Sequence, residues 1–195
     1  MAQTNTTDAL PVSPKRDLKL SYAELARRYR RTIAIPLMVI VLYFAQFDKR
    51  YFIFSYFLIV AGEALRIWAA GHLHKEKILT TGGPYRLFRN PLYLGSFMIS
   101  LGFYLIMSPW WILLVILVYF GLFYLPVVRH EEQTLRAKFP KEYSAYAKAI
   151  PAFFPATRLW PYPTTHFSFE QMMKNKEYNA ILGILLVYAY LLLRR

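Results

Sequence analysis

The chain of 195 residues contains no cysteine. Disulfide frameworks, thiolate metal sites and cysteine nucleophiles are therefore excluded. Acid is scarce as well: 11 Asp+Glu stand against 24 Lys+Arg, leaving a net charge of +13. Soluble nucleic-acid binders reach such charges by giving up apolar residues, and this chain does not give them up. It is 56% hydrophobic and 18% aromatic, above the ~45–50% apolar content of ordinary globular domains. Sixteen Tyr, fifteen Phe and four Trp suit the aromatic belts of a membrane interface better than a soluble core of this size. Composition points to a multi-pass membrane protein with a lipid bilayer as its partner, and nucleic acid is an unnecessary one.

Apolar runs occupy 32–47, 51–70, 93–107, 110–128 and 178–193. A bilayer's hydrocarbon core takes ~20 apolar residues, with ~17 near the lower limit. The second and fourth runs meet that length, and flanking aromatics with snorkelling Lys or Arg extend the others. Asp48-Lys49-Arg50 and Ser108-Pro109 are tight connections that force antiparallel neighbours. The expected fold is all-α, a polytopic membrane helical bundle of about five transmembrane helices. Two tight hairpins and a C-terminal span compose it, with cytoplasmic interfacial helices in the long loops.

Basic residues orient this bundle. Residues 1–31 hold seven, 71–92 hold four and 129–177 hold eight, whereas the two hairpin tips hold only Lys49 and Arg50. The positive-inside rule places the N-terminal segment and both long loops in the cytoplasm. Arg194 and Arg195, beyond a fifth span, run against it. Residues 1–31 form a basic cytoplasmic segment, too long and too charged for a cleaved signal peptide. Its part 18–29 reads either as a basic amphipathic helix on anionic headgroups or as a solvated tail. The membrane domain proper is 32–195.

Chemistry concentrates in two segments. In the first, Gly82-Gly83-Pro84 must turn, because glycine permits positive φ and proline disfavours helix at the residue before it. Tyr85, Arg86, Arg89, Asn90 and Tyr93 follow, just where Pro91 opens a span. Guanidinium forks in such a loop pair with carboxylate or phosphate; the plainer reading is positive-inside anchoring with a tyrosine belt. In the second, Glu131 and Glu132 follow the fourth run, in a stretch whose other charges up to residue 141 are positive. A helical reading puts Glu131, Leu135, Phe139, Tyr143 and Tyr146 on one face. Glu132 stands four residues before Arg136, the spacing of a helix-surface ion pair. An acidic pair binds an amine and a basic loop binds a carboxylate. Together they fit the two ends of a zwitterionic amino-acid group, with tyrosine faces for a sulfonium.

These residues occur in an order that resembles the isoprenylcysteine carboxyl methyltransferase family and its phospholipid methyltransferase relatives. The chain reads Gly83-Pro84-Tyr85-Arg86, then Arg89-Asn90-Pro91-Leu92-Tyr93-Leu94-Gly95. After a hydrophobic hairpin come Glu131-Glu132-Gln133-Thr134-Leu135, Phe139-Pro140-Lys141-Glu142-Tyr143-Ser144-Ala145-Tyr146 and Pro151-Ala152-Phe153-Phe154-Pro155. The resemblance covers about residues 62–155. Asn90 stands where the family usually has histidine, which removes proton transfer there but leaves a hydrogen-bond donor. Pro140 stands where glycine is usual.

The resemblance implies an S-adenosylmethionine-dependent integral membrane methyltransferase without a Rossmann domain, acting on a lipidic or prenylated acceptor. It implies cofactor contacts from Tyr85, Arg86, Arg89, Asn90, Tyr93, Gly95, Glu131, Glu132, Tyr143 and Tyr146, with Arg89, Asn90 and Glu131 in catalytic positions. The acceptor, and carboxylate O- against amine N-methylation, stay open. A compact chain of this kind suggests a prokaryotic inner-membrane enzyme.

Glu63 and Arg66 lie three apart inside the second run. An ionisable pair there reads either as a substrate contact or as a mutually neutralised pair near the helix end. His72 and His74, two apart and with no third ligand near, read as interfacial loop residues rather than a metal site. Two other classes remain: an NADPH-dependent reductase of the sterol-reductase type, and a non-catalytic membrane scaffold. The Glu131–Glu132 pair and the 195-residue length argue against the reductase, and a scaffold does not account for an acidic pair placed between basic loops.

Overall fold

A computed structural model describes residues 14–46, 48, 50–74, 78–107 and 109–193, with 14–21 and 31 described by their backbone alone. The first thirteen residues of the basic segment, Lys49 and Ser108 of the hairpin tips, Lys75 and Lys77, and Arg194 and Arg195 lie outside the described residues. Among those described, all regular structure is helical. In chain order the helices are α1 (Pro14–Phe44), α2 (Phe52–His72), α3 (Pro91–Met107), α4 (Trp110–Tyr119), α5 (Leu125–Lys138), α6 (Pro140–Ala149), α7 (Phe169–Lys174) and α8 (Tyr178–Leu193). A 3-10 turn, Gly83–Arg86, precedes α3, and a π-helical turn, Phe120–Tyr124, joins α4 to α5.

Two helices are long and apolar enough to cross a membrane, Phe52–His72 and the continuous Trp110–Lys138. Only 22% and 17% of their apolar stretches are buried inside the molecule, so they are not core helices of a water-soluble fold. Ile53, Phe57, Trp110, Leu114, Leu185 and Leu186 stand exposed on the outer faces, a surface that requires hydrocarbon as its solvent. Thr32–Phe44, Pro91–Met107 and Tyr178–Leu193 are apolar but shorter.

The tightest helix pair is α2 with α3. A Cβ on Gly95 would lie 2.6 Å from the Gly62 carbonyl oxygen, and one on Gly102 would lie 2.9 Å from that of Ser55. The Ser55 hydroxyl donates to the Gly102 carbonyl at 2.8 Å. Lipid supplies no hydrophobic drive between helices, so close backbone approach through small residues is what holds such a pair. At one end of the bundle Ala45, Ile106, Met107, Ile112, Val187 and Leu191 form a core, and the backbone N–H groups of Gln46 and Asp48 donate to the Met107 and Ile106 carbonyls. Leu79, Tyr143, Tyr146 and Ile150 form the core of the other end.

Three sequence expectations change. The segment 18–29 is not a separate interfacial helix: α1 runs unbroken through it and the first apolar run, passing Pro36. Ala23 and Ala26 are buried, and the Tyr22 hydroxyl donates to the Leu122 carbonyl at 2.9 Å. That carbonyl is available because Pro126, four residues on, has no N–H to offer it. Second, the face from Glu131 to Tyr146 does not belong to one helix. Pro140 disfavours helix at Phe139, which adopts φ −129°, ψ 63° between α5 and α6. Third, His72 is a buried last-turn residue of α2 rather than a loop residue, its ring packed edge-on to Trp68 and Phe167.

The glycine contact predicts a clear contrast. Gly95→Val should destabilise the α2–α3 pair by about 1–3 kcal/mol, the usual cost of overpacking, read as a lowered melting temperature in detergent. Gly121→Ala, whose Cβ would meet nothing within 4 Å, should leave that temperature unchanged.

Candidate functional site

The site lies where α3 begins. Gly83 sits at φ +55°, a left-handed conformation that glycine adopts freely, and a Cβ there would come within 2.5 Å of the His72 ring. The 3-10 turn that follows delivers Tyr85 inward and buried. The N–H groups of Arg89 and Asn90 then donate to the Pro151 and Ala152 carbonyls at 3.0 and 3.1 Å. The Asn90 carbonyl accepts the first α3 bond from Leu94. Its side chain is free to point away from the helix.

It points at α5. Asn90 Nδ2 donates to Glu132 Oε1 at 2.9 Å, and Arg89 Nε lies 3.2 Å from the same oxygen. Arg89 Nη1 donates to the Ala147 carbonyl in the last turn of α6, where the helix dipole favours a cation. Glu132 therefore pairs across the loop rather than with Arg136. One residue earlier, Glu131 Oε1 accepts from the Tyr93 hydroxyl at 2.9 Å. The Tyr146 hydroxyl donates to the Tyr85 carbonyl at 2.6 Å. Tyr143 is 1% exposed, and its hydroxyl has no well-aligned partner among the described residues. Burial, with the Glu132 charge beside it, pushes Tyr143 up to about 12. Burial likewise raises Tyr85 well above its ordinary value and raises Tyr146. All three hydroxyls thus stay protonated donors at neutral pH.

A cavity of about 110 Å³ lies between these groups. Eight of the ten residues expected at a cofactor line it: Tyr85, Arg89, Asn90, Tyr93, Glu131, Glu132, Tyr143 and Tyr146. The other two do not. Arg86 turns away, donating through Nε to the Trp160 carbonyl at 2.7 Å, and Gly95 is spent on the contact with α2. Leu73, His74, Ile78, Leu79, Leu92 and Leu135 supply most of the remaining wall. The space is below the ~300–1,000 Å³ of clefts that bury a whole drug-sized ligand and has room for one polar end of such a molecule. Its chemistry suits an amino-acid end: two carboxylates, one guanidinium, an amide donor and the buried Tyr143 hydroxyl.

Glu63 and Arg66 stand apart from this cavity. Arg66 Nε lies 3.6 Å from Glu63, and Nη2 lies 2.6 Å from buried Glu177. Arg66 also donates to Ser96 Oγ and, at 3.4 Å, to the Leu92 carbonyl. The pair is thus an ion cluster tying α2 to α3 and to the turn before α8. Glu177 was not singled out by sequence. Its signal was the lone acid directly before the last apolar run, which an arginine inside the bundle requires as a partner. Arg30 was missed too: its guanidinium lies close enough to Tyr93 and Glu131 to interact electrostatically with both.

Residues 51–142 match the phospholipid methyltransferase family. The cobalt-zinc-cadmium resistance protein CzcN of Cupriavidus metallidurans is 36% identical over 97 residues, which are 49% of this chain and 44% of that protein. The nickel-cobalt-cadmium resistance protein NccN of Alcaligenes xylosoxydans xylosoxydans is 33% identical over 103 residues, 52% of this chain and 48% of that protein. The matched parts span under half the length of either relative. No solved structure matches the chain. The matched region, just under half of the chain, carries both the Arg89–Asn90 box and the Glu131–Glu132 pair, so this part of the chain is similar to the phospholipid methyltransferase family.

Proposed function

We propose that the chain transfers a methyl group from S-adenosylmethionine to a lipidic acceptor at the cytoplasmic face of a prokaryotic inner membrane. The observation that supports this most is the convergence of Glu131, Glu132, Arg89 and Asn90 on one small cavity at the end of apolar helices. The cofactor, when bound, supplies an electrophilic methyl carbon on a sulfonium. Glu131 and Glu132 would receive its ammonium, Arg89 and Asn90 its carboxylate, and the rings of Tyr85, Tyr93 and Tyr146 would face its positive sulfur. The buried tyrosines and Leu79 and Leu135 keep water from the reacting end.

Asn90 bears on the acceptor. Its amide donates but takes no proton, so it leaves an amine acceptor without a base at that position. A carboxylate acceptor needs none. With nucleophile, methyl carbon and sulfur held in line, positioning is the main contribution that such a site makes. A multi-pass topology with five apolar helices crossing the bilayer is part of the same proposal. It puts the cavity on the side that carries the basic loops.

Two outcomes are expected. In detergent calorimetry S-adenosylhomocysteine binds the full chain, and Glu131→Gln or Arg89→Ala weakens it roughly 10–100-fold, the loss of one charge-assisted hydrogen bond. Binding of NADPH without any response to S-adenosylhomocysteine overturns the reading in favour of a reductase, and binding of neither favours a scaffold. Because the chain has no cysteine, single introduced thiols report topology cleanly. In inside-out vesicles an impermeant maleimide should label Ser144→Cys in α6 and spare Arg50→Cys at the first hairpin tip; the reverse pattern would sink the orientation.

A further inference from the structure

Arg30 comes from α1, outside the region that matches the family, yet it ends beside the acidic pair. Several contacts carry it there. Ala23 and Ala26, on the same face of α1 as Arg30, are 5% and 3% exposed, so that face lies directly on its neighbours. The Tyr22 hydroxyl donates to the Leu122 carbonyl, and the Tyr119 hydroxyl donates to the Arg30 carbonyl at 2.7 Å. Both partners lie in or next to the π-helical turn, a distortion that often marks functional sites. The same turn brings Tyr124 under the guanidinium, 6.0 Å from ring centre to Cζ, and Tyr124 meets Tyr93 edge-on at 5.5 Å.

The hydrogen bonding then runs in one direction. Arg30 has donors and no acceptor, so where it lies beside Tyr93 it can face only the phenol oxygen and not the phenol proton. The phenol proton is left to point at Glu131 Oε1, 2.9 Å away. A cation beside the phenol oxygen polarises the O–H that points at Glu131. Arg30 is absent from the cavity wall, whereas Tyr93 and Glu131 line it, so it acts through them.

We propose that Arg30 is a positioning residue of the site: it fixes the Tyr93 proton on Glu131 and balances the Glu131 charge, which makes α1 part of the functional unit. This rests on the methyltransferase reading for its consequence in cofactor binding, but not for the contact itself.

The experiment uses the full chain in detergent as four proteins: wild type, Arg30→Met, Glu131→Gln and the double variant. Each is assayed for melting temperature and for S-adenosylhomocysteine affinity, with Arg30→Lys added as the rescue. Methionine keeps the packing of the stem. Arg30→Met is expected to weaken binding about tenfold, one charge-assisted bond's worth, and Arg30→Lys to restore most of it. In the Glu131→Gln background the Arg30→Met change should have no further effect, and the melting shifts should likewise be non-additive, as for groups in contact. Additive effects on both melting and affinity would overturn the proposal, because a helix that only packs loses the same amount in either background. If the wild type binds no S-adenosylhomocysteine, the methyltransferase reading fails, and the melting cycle alone still decides whether Arg30 is coupled to Glu131.

Discussion

One oxygen atom organises the site. Glu132 Oε1 accepts from Asn90 and faces Arg89 Nε at the same time, so a single carboxylate on α5 fixes both side chains of the box that precedes α3. In water such a bond would be worth little. At the end of an apolar bundle the alternative to pairing is a desolvated charge, which costs several kcal/mol. The pairing therefore sets the mutual position of α3 and α5. The cavity is lined from those two helices, from α6 and from the stretch 73–90, to which the segment 151–165 is strapped. The strap is mostly backbone: Arg89, Asn90, Ala156 and Trp160 donate main-chain N–H groups between the two stretches. Arg86, which might be taken for an anion-binding residue by composition, serves that strap instead.

The site as it stands satisfies itself. Glu131 holds Tyr93, Glu132 holds Asn90 and Arg89, and Tyr146 holds a carbonyl of the turn. A zwitterionic ligand would replace internal partners rather than fill empty valences, and its affinity would reflect the difference between the two sets of bonds. The buried Tyr143 hydroxyl has no well-aligned partner among the described residues, with the Glu132 carboxylate beside it.

Much of this was legible in the sequence because the determinants are local. Apolar runs of the right length, Pro91 at a helix start and a Gly-Gly-Pro turn each fix structure within a few residues, and the arginine box and the acidic pair stand out as charge of the unexpected sign or place. What escaped was non-local or a matter of competition. Phe139 reads as helical by apolar spacing, but the steric demand of Pro140 outweighs that spacing and splits α5 from α6. Gly95 belongs to a motif, yet its hydrogen atom is used where α2 crosses. Arg66 has a local partner in Glu63, and only folding reveals that Glu177 lies closer. Arg30 looks like one more basic residue in a basic stretch; nothing in its neighbours distinguishes it from Arg27 or Arg28.

The bond between Tyr22 and the Leu122 carbonyl has a wider meaning. In water a carbonyl stripped of its helical donor by a proline is satisfied by solvent and goes unnoticed. Within a bilayer no such rescue exists, and the vacancy must be answered by another part of the chain. Pro126 thereby writes an address onto α4 and the turn after it, legible only to a helix that carries a hydroxyl at the matching height. Proline, usually counted as a breaker of order, acts in this protein as a specifier of which helix lies beside which.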